Sequence, residues 1–111
     1  MSAATLAARP VAFRVGLTGR RWGNAGPTVL LLQDGESTPT SLAAFLEPLL
    51  ASGRQVVALD DPTDAGLDEA ARVGEYAVAA LEAAVELPEL ESVVGQGLGA
   101  AAAAQAQKLR G

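Results

Sequence analysis

Three short apolar runs set the terms for this chain. Thr28-Val29-Leu30-Leu31-Leu32, Gln55-Val56-Val57-Ala58-Leu59-Asp60 and Ser92-Val93-Val94 lack the polar alternation of a half-solvated strand. A continuous run of this length between turn signals suits a strand covered on both faces, as in a parallel sheet. Helical spacing fills the stretches between and after them. Leu42, Phe45, Leu46, Leu49 and Leu50 recur at three- and four-residue intervals and predict a helix from Ser41 to Ala51. Pro48 is expected to kink or distort that helix, and Gly53 to stop it. The longest helix is predicted from Asp68, its N-cap, to about Leu87. Val73, Tyr76, Ala77, Ala80, Leu81, Ala84 and Val85 lie on its apolar stripe, whereas Arg72, Glu75, Glu82 and Glu86 lie largely off it. A last, alanine-rich helix is predicted from Leu98 to Leu109.

Upstream, Val11–Val15 and Arg20–Gly23 read as the two strands of a hairpin turning at Leu17-Thr18-Gly19, and residues 1–10 as a flexible tail. A hairpin followed by β-α-β-α-β-α predicts one three-layer α/β/α domain over residues 11–111. The expected sheet is mostly parallel, with about four to five strands and about three helices. Function is expected in the loops after the carboxyl ends of the strands.

Composition narrows the chemistry. The chain has 111 residues, half of them apolar and only 4% aromatic, so one core must be built from Ala, Val and Leu. The net charge is −5 and no segment concentrates Lys or Arg, which argues against nucleic acid or an anionic membrane as partner. Arg20-Arg21-Trp22 puts a basic pair beside an aromatic and reads as the solvated face of a strand. Cysteine is absent, which removes disulfides, thiolate metal sites and thiol nucleophiles. Histidine is absent too, and with it the commonest general base and metal ligand. No apolar run approaches the ~18 residues of a membrane span. Met1–Pro10 lacks the pattern of a signal peptide, so a cytoplasmic protein is expected.

The third apolar run meets a glycine cluster, Gly95-Gln96-Gly97-Leu98-Gly99-Ala100, which opens the last helix. One reading is a dinucleotide or phosphate site. Gly95, Gly97 and Ala100 fit the G-x-G-x-x-G/A pattern that lets backbone N–H groups approach a pyrophosphate. That pattern calls for an acidic residue about 20 positions later, at the end of a following strand, to hold the ribose. The sequence reaches Gly111 before such a strand.

The second reading comes from the register of several motifs together. Trp22-Gly23 followed by Gly26-Pro27-Thr28-Val29-Leu30-Leu31-Leu32, then Phe45 to Gly53, then Val56-Val57-Ala58-Leu59-Asp60-Asp61-Pro62, then Val94 to Ala100, resembles the N-terminal half of an α/β-hydrolase. The resemblance runs from Trp22 to Gly111. It implies that the glycine cluster is that family's nucleophile elbow, G-x-S-x-G. Here the elbow reads Gly95-Gln96-Gly97-Leu98-Gly99, with Gly97 where the serine belongs and Gln96 where histidine is usual. The family's His-Gly pair in the first loop is Gln33-Asp34, and its P-G-H-G in the second is Pro62-Thr63-Asp64-Ala65. The triad's acid and histidine come from later strands that this sequence does not contain. The resemblance implies oxyanion donors at the N–H of Leu98 and of Gly35.

Acyl transfer needs a nucleophile, a base and oxyanion donors. Glycine cannot attack, and there is no imidazole to act as base, so no catalytic residue is intact. The chain is expected to be a truncated, degenerate or reduced hydrolase-like scaffold without a cofactor. Asp34, Glu36, Asp60, Asp61 and Asp64 could gather oxygens for a hard cation, but they read more simply as solvated loop acids, and no metal is expected. Trp22 and Tyr76 read as packing residues. With no strand beyond it, Ser92–Val94 becomes a sheet edge. Self-association, or binding of a complementing half, is expected there.

Overall fold

A computed structural model of the chain describes residues 8–33, 39–87 and 89–110, the side chains of 39–41 excepted. Five strands and three helices follow one another: β1 (Arg9–Ala12), β2 (Thr18–Trp22), β3 (Thr28–Leu32), α1 (Pro39–Ala51), β4 (Gln55–Leu59), α2 (Glu69–Val85), β5 (Leu90–Gly95) and α3 (Leu98–Arg110). The strands form one sheet in the order β1-β2-β4-β3-β5.

The apolar runs become the parallel centre. β3 pairs in parallel with β4 on one side, from Thr28↔Gln55 to Leu32↔Leu59, and with β5 on the other, from Val29↔Ser92 to Leu32↔Gly95. β2 pairs antiparallel with β1 and with β4, where Trp22 faces Val56 and Gly19 faces Leu59. The expectation of a mostly parallel sheet is therefore corrected. Two of the four pairings are parallel and two antiparallel. The hairpin does not stand apart from the parallel strands; it extends the sheet from the free side of β4.

The hairpin strands are also displaced from the sequence reading. The first ends at Ala12, because Phe13 N–H donates to the Leu17 carbonyl and Gly16 N–H to the Phe13 carbonyl, closing a turn over 13–17. Phe13 leaves the strand and enters the core at 6% exposure. β1 begins at Arg9, inside the segment read as a tail, while residues 1–7 of that segment lie outside the described residues.

Alternation along the buried strands builds two cores. Leu30, Leu32, Val57, Leu59 and Val93 face one side, against Tyr76, Ala77, Ala80 and Ala83 of α2 and Ala102, Ala103 and Ala106 of α3. Leu31, Val56 and Ala58 face the other side with Trp22, against Leu46 of α1 and its half-buried neighbours Leu42, Phe45, Leu49 and Leu50. Every residue of β3 is buried, which is why its sequence shows no polar alternation. α1 runs unbroken through Pro48. It ends in a Schellman turn, with Gly53 at φ +85°, Gly53 N–H donating to the Leu50 carbonyl and Arg54 N–H to the Leu49 carbonyl. α2 starts at its predicted cap, where the Asp68 carboxylate accepts from the Ala71 N–H at 2.8 Å. No helix among the described residues is long and apolar enough to cross a membrane.

Candidate functional site

The glycine cluster forms a tight elbow. Only Gln96 and Gly97 separate the end of β5 from the start of α3. Gly97 makes the reversal at φ +57°, a left-handed conformation that costs glycine little and strains any residue with a Cβ. The turn is closed by its own amides: Gly99 N–H donates to the Gln96 carbonyl at 2.9 Å and Ala100 N–H to the Gly97 carbonyl at 3.0 Å. Gln96 N–H reaches the Leu32 carbonyl at 3.4 Å and extends the β3–β5 ladder one step beyond the strand. Gly95 and Gly99 serve close approach. A Cβ on Gly95 would collide with the Gly99 carbonyl, and a Cβ on Gly99 with the Leu32 carbonyl. The first turn of α3 thus lies directly on the tips of β3 and β5.

The exit of β3 beside this elbow is pinned at Gln33 from three elements. Gln33 N–H donates to the Leu59 carbonyl at the end of β4, at 3.4 Å. Its carbonyl accepts from the Tyr76 hydroxyl of α2, at 2.9 Å. Its side-chain oxygen accepts from the Arg20 guanidinium of β2, at 3.0 Å. Arg20 in turn lies over the Trp22 ring, 5.2 Å from its centroid, a cation–π placement. Gln33 occupies the position where the hydrolase resemblance expects histidine. Gly35, the expected oxyanion donor of this loop, lies outside the described residues, as do Asp34 and Glu36. Leu98, the other expected donor, opens α3 immediately after Gly97.

The exit of β4 is a knot of charge and hydroxyl. The Asp61 carboxylate accepts from the Thr63 N–H at 2.8 Å and the Thr63 hydroxyl at 2.6 Å, and pairs with the Arg72 guanidinium at 2.6 Å. Arg72 also donates to the Thr63 hydroxyl oxygen at 3.0 Å. Burial pushes the Asp61 carboxyl up, but the Thr63 hydrogen bonds and the Arg72 charge outweigh it and hold it below its ordinary value. Asp60 accepts from the Thr18 hydroxyl at 2.9 Å, and Asp64 from the Gly66 N–H at 2.8 Å. Each of these three acids has a local partner of its own. Among the described residues no group of three or more acids could hold a metal ion.

Three features escaped the sequence reading. Tyr76 packs, as expected from its stripe, but its hydroxyl also joins the ends of β3 and β4. Arg72, placed largely off the apolar face of its helix, returns to the loop that precedes it. Asp61 and Arg72 lie 11 positions apart, across a helix start, and that spacing is the one trace the pair leaves in sequence. Arg20 stays exposed, as read, yet it stacks on a tryptophan that is only 2% exposed.

No protein-family model matches the sequence. No curated protein matches it. Among solved structures, an epoxide hydrolase from an endophytic Streptomyces overlays 94% of this chain with a TM-score of 0.68 at 25% identity. That neighbour belongs to the α/β-hydrolase superfamily. DcsB, solved in complex with its substrate analogue, overlays 91% of the chain with a TM-score of 0.57 at 14% identity, a likeness of fold. The chain spans 33% of the epoxide hydrolase's length and 40% of DcsB's. Its fold is hydrolase-like.

Proposed function

We propose that this chain is an α/β-hydrolase-type domain whose elbow has lost its reagent, and that it works as a non-catalytic scaffold. Gly97 carries the reading: it stands at φ +57° between β5 and α3, where the resemblance places the nucleophile, and it has no side chain. The other parts of an acyl-transfer site are equally bare. No histidine or cysteine occurs in the sequence. Gln33 and Gln96 occupy the positions expected for histidine, and an amide neither takes up nor releases a proton near neutral pH. Backbone donors alone at Leu98 and Gly35 would leave a residual rate of about 10³–10⁴ over water, far short of a working hydrolase.

Epoxide opening, the activity named for the structural neighbour, also requires an attacking group on carbon and an acid for the leaving oxygen. Tyr76 is the one phenol of the sequence, and its hydroxyl is committed to two backbone carbonyls. The test is incubation of the chain with a fluorophosphonate probe, a p-nitrophenyl ester and a simple aryl epoxide. No labelling and no turnover above background are expected. Stoichiometric labelling, or ester or diol formation abolished by a single substitution, overturns the proposal.

The dinucleotide reading of Gly95, Gly97 and Ala100 keeps one supporting observation, the glycine turn itself. Two amides that would cradle a pyrophosphate, those of Gly99 and Ala100, are spent on carbonyls of the same turn. Thermal melting with NAD or FAD separates the readings. No shift is expected; a concentration-dependent rise in midpoint supports the dinucleotide site instead.

A further inference from the structure

Charge is segregated along this chain. No Asp or Glu occurs before Asp34, and the hairpin holds Arg9, Arg14, Arg20 and Arg21, half of the eight basic residues of the sequence. From Asp34 onward the chain carries all 13 acids and the other four cations. Those four have local counterparts. Arg54 pairs with Glu91 and Arg72 with Asp61. Lys108 and Arg110 occupy the last turn of α3, where positive charge suits the open carbonyls of a helix end. The hairpin arginines differ. Among the described residues two carboxylates reach the hairpin, and both bind other groups. Glu86 accepts from the backbone N–H of Arg14 at 3.0 and 3.2 Å, and Asp60 from the Thr18 hydroxyl at 2.9 Å. Among the described residues no ion pair involves an arginine of the hairpin.

The sheet register sorts these arginines by face. Arg9 stands directly opposite Arg21. Val11, on the same side of β1 as Arg9, packs against the α2 core, and Val57, opposite Arg21 on β4, is part of that core. Arg9 and Arg21 therefore share the α2 side. Arg20 points the other way, over Trp22. Arg9 is exposed and donates to the Gly23 carbonyl, while Arg21 is half-buried with its Nε enclosed and lacking a hydrogen-bond partner. Like charges set directly opposite destabilise a strand pair, and no carboxylate is paired to either arginine to offset this. The outer rim of β1 is unsuited to strand addition. The Thr18 carbonyl accepts from the Asp60 N–H, on the β4 side, so its partner Ala12, and Pro10 two residues earlier, aim their backbone groups outward. Pro10 has no N–H to give. A partner therefore meets the arginine face rather than the strand edge.

We propose that Arg9 and Arg21 form a docking face for a short acidic segment of another polypeptide, whose carboxylates they take. All four cations of the hairpin are Arg and none is Lys. A guanidinium grips a carboxylate through two parallel N–H donors, which an ammonium cannot do. The charge of the whole molecule selects a short segment. At −5 the protein repels an extended polyanion such as nucleic acid or an anionic membrane. A few carboxylates placed on the hairpin feel mainly the arginines, because charges beyond about 8 Å are screened at physiological salt. The docking face stands whether or not the elbow can catalyse, and it gives a scaffold a surface to work through.

The probe is a blocked hexaglutamate peptide titrated into isotope-labelled protein at low salt, with hexaglutamine as control. Amide shifts at Arg9, Val11 and Arg21 are expected with hexaglutamate alone. Arg9→Gln and Arg21→Gln together are expected to weaken binding about tenfold, the loss of two partly exposed ion pairs. Lys108→Gln and Arg110→Gln together remove the same charge from α3 and are expected to change it less than about twofold. Binding should fade between about 0.01 and about 0.15 M salt, as the screening length falls from about 30 to about 8 Å. No shifts at the hairpin, or equal weakening by the α3 variant, overturns the proposal. Tighter binding of single-stranded DNA or phosphatidylserine vesicles through the same two arginines also overturns it. Melting supplies a second measurement that needs no ligand. Arg21→Gln relieves an opposed like charge and is expected to melt no lower than the parent. A clearly lower midpoint assigns Arg21 a structural role and overturns the docking face.

Discussion

The Tyr76 hydroxyl donates to the Leu59 carbonyl at 2.6 Å, tying the third turn of α2 to the last residue of β4 from a side chain with no solvent exposure. The same hydroxyl lies 2.9 Å from the Gln33 carbonyl. One buried phenol thus ties together the exits of β4 and β3, the second of which lies beside the elbow.

Tyr76→Phe keeps the ring and removes this tie. It leaves buried carbonyl oxygen short of a donor, so a loss of about 1–2 kcal/mol is expected. For a domain of this size that corresponds to a melting midpoint lower by roughly 4–15 °C. Urea unfolding of both proteins checks the free energy, with equal slopes showing that the exposed surface is unchanged.

Asp61 gives the chain an acid-side sensitivity whose sign is fixed. Its folded carboxyl titrates below the ordinary value of about 3.8. The stabilisation is therefore complete above that value and is lost as pH falls through the folded one. Asp61→Asn is expected to cost about 1–2 kcal/mol at neutral pH. The difference from the parent should shrink toward zero as both are acidified below about pH 4. Unfolding curves at a series of pH values show this convergence directly.

Two of the elbow glycines, Gly97 and Gly99, are expected to respond unequally. Gly97→Ser adds a Cβ to a left-handed residue and should cost about 1 kcal/mol. Gly99→Ala drives a methyl group into the Leu32 carbonyl and should be the more damaging substitution, in the range of about 3 kcal/mol or more. Thermal midpoints in the order parent, Gly97→Ser, Gly99→Ala are the expected result. Gly97→Ser is also expected to gain no esterase activity, since no imidazole is present to take the hydroxyl proton.

Asp68→Ala removes the α2 cap and should lower stability by about 1 kcal/mol, measured by chemical denaturation.

Much of the fold was legible because burial on both faces writes itself into local sequence. β3 follows its apolar run residue for residue, β4 stops at Leu59, one residue short of its run, and Asp68 announced the start of α2. The hairpin was less legible. Phe13 and Val15 continue the apolar character of Val11, but the chain turns at Phe13, and only the Leu17 carbonyl it meets explains why. The antiparallel share of the sheet was hidden for a related reason. That β2 lies against β4 is a pairing between Trp22 and Val56, residues 34 positions apart in sequence whose local patterns name no partner. At the site, glycine spacing marked the elbow in advance. The Tyr76, Gln33 and Arg20 contacts arise from three separate elements and leave no periodicity to read.

The strand order carries a temporal consequence. β3 lies inside the sheet, yet one of its two neighbours, β5, is separated from it by α1, β4 and α2. A nascent chain emerging from the ribosome can zip β3 to β4 early, but one flank of β3 stays bare until Gly95 has been made. Closure of the sheet around β3 is thus deferred until β5 has been made, with a greasy central ribbon exposed until then to whatever chaperone or neighbour reaches it first.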